Sequence, residues 1–90
     1  MKVMVVGGGA REHALAWKLT QSKRVKEIFV APGNAGTAQI ATNLDLSPTN
    51  LDALVGAAKE NKVDLVVVGP EAPLAAGIVD KLQGFGIPAF

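Results

Sequence analysis

The chain has no cysteine and no tyrosine, and only one tryptophan and one histidine. Without cysteine, neither a disulfide nor a thiolate zinc site can staple the fold. A single histidine argues against an all-protein metal site, so no metal ligand is assigned. Aromatic residues make up 4% of the chain, and none interleaves with the one basic cluster, Lys23, Arg24 and Lys26. Base stacking needs such interleaving, so the cluster reads as a solvated helix end and no nucleic acid is expected. Long apolar runs are missing too. Nothing approaches the ~18 residues of a membrane span. Residues 2–6 are too short for the apolar core of a signal peptide, and glycines follow at once. The expected setting is cytoplasmic, with no membrane partner.

What is present fits one small globular domain. The chain has 90 residues, 49% of them apolar, and a net charge of +1. Such a chain buries somewhat more than ~60% of its unfolded surface, enough for one modest core. It stops at Gly86-Ile87-Pro88-Ala89-Phe90, a turn running into an apolar stretch, and a fragment of a longer chain is the expectation.

The most informative segment is Gly7-Gly8-Gly9-Ala10-Arg11-Glu12-His13. It follows a β-branched run and precedes Ala14-Leu15-Ala16-Trp17-Lys18-Leu19, which reads as helix. A strand that breaks on glycines and re-enters as a helix turns bare N–H groups towards one spot. That spot lies at the positive end of the helix dipole and suits a phosphate or carboxylate.

Four segments read as strands: residues 2–6, 26–30, 64–68 and 87–90. The first and third are continuous apolar runs, the pattern of strands covered on both faces. The second is shorter and mixed, as an outer strand would be. Between strands three and four, Leu74, Ile78 and Leu82 mark a helix, with Pro73 in its first turn and Gly84 or Gly86 at its end. Leu51, Leu54, Val55 and Ala58 mark another by their i, i+3, i+4, i+7 spacing, with Thr49 or Asn50 as N-cap and Asn61 as stop. Trp17 is expected in the core. Residues 31–46 are too irregular for a crossover helix; residues 35–37 read as loop and residues 39–41 as a brief extra strand. The order predicts a Rossmann-like α/β domain of three layers around a parallel sheet. If residues 64–68 lie beside residues 2–6, opposite residues 26–30, the strand order reverses there. Ligands bind at the carboxyl ends of strands flanking such a reversal. Three loops would converge on that crevice: residues 7–11, 31–36 and 69–71.

The dinucleotide fingerprint G-x-G-x-x-G fails at its third position, which is Glu12. It fails again after the second strand, where Val30-Ala31-Pro32-Gly33-Asn34 offers no acid for ribose hydroxyls. A P-loop is excluded because no Gly-Lys-Ser/Thr follows. A smaller phosphorylated ligand fits better. Gly7, Gly8, Gly9 and Ala10 could wrap its phosphate, and Asn34 could donate to and accept from a sugar hydroxyl. Glu71 could take hydroxyl or amine protons. Each has a plainer reading: Arg11 as a surface partner of Glu12 or Asp45, Glu12 as a complement to the dipole, His13 as a hydrogen-bonded structural residue, Asn34 as a left-handed turn residue, Glu71 as a neighbour of the next helix start. No nucleophile–base pair and no Lys/Arg clamp for ATP is present. These residues build a binding module and no catalytic residue is assigned.

Three motifs resemble a known family. Val5-Val6-Gly7-Gly8-Gly9-Ala10-Arg11-Glu12-His13-Ala14-Leu15, Ala31-Pro32-Gly33-Asn34-Ala35-Gly36-Thr37 and Asp64-Leu65-Val66-Val67-Val68-Gly69-Pro70-Glu71-Ala72-Pro73-Leu74 resemble the amino-terminal domain of the phosphoribosylamine–glycine ligases, members of the ATP-grasp enzymes. The resemblance spans the whole chain and implies a pre-ATP-grasp domain. It implies a ligase of de novo purine synthesis, inactive as this domain alone, that joins glycine to 5-phosphoribosylamine at the expense of ATP. ATP and magnesium would bind mostly to further domains of the same enzyme. On this chain, Gly7, Gly8, Gly9, Ala10 and Arg11 would serve the phosphate end of the phosphoribosylamine, and Pro32, Gly33, Asn34, Gly69, Pro70 and Glu71 its ribose and amine end. One departure is Ala10, where the family usually has glycine; helical dihedrals there would make alanine harmless. The competing readings are a Rossmann-type nucleotide-binding or regulatory domain, and a related ATP-grasp ligase with another substrate.

Overall fold

The computed structural model describes residues 1–69 and 75–90. In chain order the elements are β1 (Lys2–Gly7), α1 (Ala10–Thr20), β2 (Glu27–Pro32), a 3-10 turn (Thr37–Gln39), β3 (Thr42–Asn43), α2 (Leu51–Glu60), β4 (Leu65–Val68) and α3 (Ala75–Gly84). The strands form one sheet in the order β3-β2-β1-β4. Every pairing is parallel; β1 sets Lys2 to Gly7 against Glu27 to Pro32 on one side and Val3 to Val6 against Leu65 to Val68 on the other.

Alternation along the strands splits the core into two layers of contact. Met4, Val6, Phe29, Ala31 and Val66 face one way and pack with Leu54, Val55, Ala58, Ile78 and Leu82 of α2 and α3. Val5, Ile28 and Val30 face the other way and pack with Ala16, flanked by Leu15 and Leu19 of α1. The continuous apolar character of β1 is therefore explained: both its faces are covered, and Val3 to Val6 are fully buried. A three-layer α/β domain results, as the segment order predicts.

Helix limits follow local chemistry. Asn50 caps α2, its side chain accepting the Ala53 N–H at 3.1 Å, and Asn61 ends it with its backbone N–H on Ala57. Gly86, at φ +78°, turns the chain after α3. Residues 87–90 only begin a strand: Ala89 bridges Val66, and the Phe90 N–H donates to the Val66 carbonyl at 3.0 Å. Pro73 and Leu74 lie outside the described residues.

Three expectations are corrected. Residues 26–30 do not form the outer strand, because β3 pairs outside β2. The extra strand is not residues 39–41 but Thr42–Asn43, since Gln39 closes the 3-10 turn. Trp17 is 55% exposed and not in the core. Successive helical residues are about 100° apart, so when Ala16 faces the sheet its neighbour turns away. Ala16 is small and lets α1 sit close; Trp17 takes the solvent side.

Candidate functional site

β1 lies between β2 and β4, so the strand order reverses at β1, and the carboxyl ends of three strands adjoin there. Backbone bonds hold their outlets together. Gly33 N–H donates to the Gly7 carbonyl at 3.1 Å, and Gly69 N–H donates to the Val6 carbonyl at 2.8 Å. Gly8 runs so close to the second loop that a side chain there would meet the Gly33 carbonyl at 2.9 Å.

The first loop is shaped by a buried acid. Gly9 is the N-cap of α1 and Ala10 its first helical residue. Ala10 thus needs no positive φ, and alanine is harmless at that position. Glu12, in the first turn, folds back so that its carboxylate accepts the Gly9 N–H at 3.1 Å. Only 5% of it is exposed. This is half of a capping box; glycine has no side chain to complete the other half. Gly7, at φ +143°, makes room for the acid: a β-carbon there would stand 2.6 Å from the Glu12 Cδ. One at Gly69 would stand 3.1 Å from the same atom. Glu12 therefore packs between the outlets of β1 and β4. It is a brace under the loop, beyond the dipole complement expected of it, and it uses one of the loop's donors. The N–H groups of the first turn point out of the helix, which gives this end the anion-favouring character of a helix start. The Arg11 side chain is exposed on the same turn.

The second loop is tied to the first by Asn34. Its Nδ2 donates to the Gly8 carbonyl at 2.9 Å and to the Gly9 carbonyl at 3.3 Å. Its Oδ1 accepts the Thr37 N–H at 2.9 Å, while the Asn34 N–H donates to Thr37 Oγ1 at 2.8 Å. Asn34 is not left-handed; among the described residues only Lys62 is a non-glycine with positive φ. Behind it, Asn43 on β3 donates Nδ2 to the Asn34 carbonyl at 2.8 Å and sits 2.7 Å from the Thr37 hydroxyl. Gly33, at φ +76°, leaves the space for this cluster, since a β-carbon there would meet Thr37 Oγ1 at 2.7 Å. His13, half-buried, lies against Gly36, whose missing β-carbon would stand 2.5 Å from the ring Cε1.

The fold thus brings Gly7, Gly8, Gly9, Ala10 and Arg11 beside Pro32, Gly33 and Asn34, with Gly69 at the third outlet. Pro70 and Glu71 lie outside the described residues. Sequence reasoning missed Thr37 and Asn43, and it missed the burial of Glu12. Signals for two of them exist. Glu12 stands three residues after Gly9, and Thr37 three after Asn34, the capping-box interval in both cases. Asn43 has none, because its role depends on a strand pairing. No cluster of three or more His, Cys, Asp or Glu side chains placed to hold a metal ion occurs among the described residues.

Comparison with known proteins gives the family. A family model described as phosphoribosylglycinamide synthetase, N domain, matches residues 1–90. The chain belongs to that family. It is 61% identical over 88 residues to a phosphoribosylamine–glycine ligase of Rhodopirellula baltica, covering 98% of the chain and 20% of that protein. It is 51% identical to the Escherichia coli K12 ligase, covering 100% of the chain and 21% of the relative. It is 53% identical to the human trifunctional purine biosynthetic protein adenosine-3, covering 99% of the chain and 9% of that protein. The crystal structure of the Thermotoga maritima phosphoribosylamine–glycine ligase superposes with a TM-score of 0.55 at 26% identity, over 82% of the chain and 17% of that structure. The chain therefore spans about a fifth of the length of the single-function ligases it matches.

Proposed function

We propose that this chain is the amino-terminal substrate-binding domain of a phosphoribosylamine–glycine ligase, and that it holds 5-phosphoribosylamine. The observation that carries the reading is the meeting of the β1, β2 and β4 outlets at the reversal of strand order in a chain of this family. In the whole reaction, glycine and ATP give glycyl phosphate and ADP. The amine of phosphoribosylamine then attacks the acyl carbon, forming the amide of glycinamide ribonucleotide and releasing phosphate. The domain's share is binding and orientation. The Ala10 and Arg11 N–H groups and the Arg11 guanidinium receive the phosphate. Pro32, Gly33 and Gly69 line the ribose and amine side, and Pro70 and Glu71, next in the sequence, are assigned to the same end by the family resemblance. ATP, magnesium and glycine bind to other parts of the enzyme, which functions in the cytoplasm.

Two features support this division of labour. The glycine loop leaves a helix start suited to one phosphate, and the second loop lacks the acid a dinucleotide needs. Asn34 enters the reading differently from a free amide: both polar atoms of its side chain already hold protein groups, so it shapes the pocket wall.

Titration of the chain with ribose 5-phosphate and with glycinamide ribonucleotide, followed by backbone amide NMR, tests the proposal. Shifts concentrated at Gly8, Gly9, Ala10 and Arg11 are expected, with weak affinity because other domains complete the pocket. No shift at these residues at millimolar ligand, or an equal response to NAD, overturns it.

A further inference from the structure

We infer that Thr37 and Asn43 are positioning residues that aim the glycine loop through Asn34. This rests on the reading of that loop as the phosphate-facing wall. The argument begins with peptide geometry. In a trans peptide the C=O and N–H point in opposite directions. The Gly8 carbonyl shares a peptide with the Gly9 N–H, and the Gly9 carbonyl shares one with the Ala10 N–H. Asn34 holds the Gly8 carbonyl on the β2 side at 2.9 Å, and it shares the Gly9 carbonyl, at 3.3 Å, with the His13 N–H of α1 at 3.1 Å. The Gly9 N–H is thereby turned away from β2. The Gly9 N–H reaches Glu12, which packs against Gly69 at the β4 outlet, so the direction is visible in the structure. The adjoining Ala10 N–H belongs to the peptide whose carbonyl His13 and Asn34 hold together, so it points out of the start of α1.

Asn34 cannot do this alone, because a carboxamide on a loop has many rotamers. Its backbone and side chain are fixed by Thr37, which bonds the Asn34 N–H, and whose own N–H holds Oδ1. Thr37 is fully buried. Its hydroxyl lies 3.0 Å from the Asn34 carbonyl and 2.7 Å from Asn43 Oδ1, while Asn43 Nδ2 holds that same carbonyl at 2.8 Å. Asn43 is itself placed by pairing with Val30, a core residue of β2. A chain of contacts thus runs from the sheet core through Asn43, Thr37 and Asn34 to the loop. Neither Thr37 nor Asn43 need touch the ligand.

The test uses the chain with ribose 5-phosphate as probe and compares Thr37→Val, Thr37→Ser and Asn43→Ser. Thr37→Val keeps the shape and removes the hydroxyl. It is expected to move the free-state amide resonances of Gly9 and Ala10, to leave those of α2 unchanged, and to weaken ribose 5-phosphate about tenfold, the effect of losing one buried hydrogen bond's worth of alignment. Thr37→Ser restores the hydroxyl and should bind within about twofold of the parent, a small fraction of the tenfold step. Asn43→Ser, at the sheet edge, should weaken binding in the same direction and serves if Thr37→Val does not fold. Parent-like binding by Thr37→Val, or by Asn43→Ser where that variant stands in, overturns the inference while the substrate reading stands. So does failure of Thr37→Ser to restore binding. If the parent chain itself shows no response at Gly8 to Arg11, the substrate reading falls and the inference falls with it.

Discussion

The Glu12 carboxylate accepts the Gly9 N–H from beneath the glycine loop, almost shut off from solvent. An acid placed under a helix start whose dipole favours anions solves a structural problem. A helix that starts directly after a strand leaves its N-cap N–H without a partner, and glycine brings no side chain to help. Glu12 supplies the partner from inside the fold. Replacing it with alanine removes that bond and leaves a void bordered by Gly7 and Gly69, so Glu12→Ala is expected to cost about 1–3 kcal/mol. Glu12→Gln keeps the acceptor and should cost less than half as much. Urea unfolding of the two variants, compared at equal m-value, checks the order.

Gly7 answers to the same acid. Its φ of +143° excludes a side chain on conformational grounds, and a β-carbon would also strike the Glu12 Cγ. Strain and overlap together predict a loss of about 2–4 kcal/mol for Gly7→Ala. Combining Gly7→Ala with Glu12→Ala removes the overlap but not the strain. The double variant should therefore be more stable than the sum of the singles predicts, by about 0.5–3 kcal/mol. Strict additivity in a thermal or urea cycle would show that the two residues do not meet.

Much of this fold can be read from apolar spacing alone. The α2 stripe, its Asn61 stop and the double-sided burial of β1 follow from periodicity and parallel-sheet logic, while the structure chooses Asn50 over Thr49 as the cap and places β4 beside β1. The glycine loop was legible as a helix start at a strand end. What the sequence concealed depends on partners distant along the chain. β2 looks like an edge because its composition is mixed, but β3, only Thr42 and Asn43, pairs outside it. Asn34 looks like a ligand group because its carbonyl-holding role needs the neighbouring loop to be in place. Trp17 looks like core because size was weighed above helical phase; Ala16 holds the inward position instead.

Gly56 provides a contrast to Gly7. It lies in the middle of α2, is exposed, and a β-carbon there meets nothing within 4 Å. Its backbone is helical, so its only effect is the entropy it costs the helix. Gly56→Ala should stabilise the chain by about 0.5–1 kcal/mol. For a domain of this size that is a rise in Tm of about 2–8 °C. A fall in Tm would mean that this face of α2 is not open.

At the start of the same helix, Asn50 accepts the Ala53 N–H through its side chain, and Asp52 stands in the first turn. Asn50→Ala is expected to cost about 1 kcal/mol, whereas Asn50→Asp and Asn50→Ser should stay close to the parent because each retains a capping oxygen. Circular dichroism melts of the three variants distinguish a cap from mere helix propensity, on which alanine would win.

Trp17 offers the most direct check on the orientation of α1. If the helix turned so that Trp17 packed on the sheet, the α1 core of Leu15, Ala16 and Leu19 would have to rearrange. The structure instead leaves the indole more than half exposed beside a buried alanine. As the chain's one tryptophan, it reports alone. Its emission should lie close to that of tryptophan in water and be quenched readily by acrylamide in the native state, with little further red shift on unfolding. Trp17→Ala should change stability by no more than about 0.5 kcal/mol, the range of surface substitutions. A blue-shifted, protected emission would place the indole against another surface, and α1 would then present a second packed face.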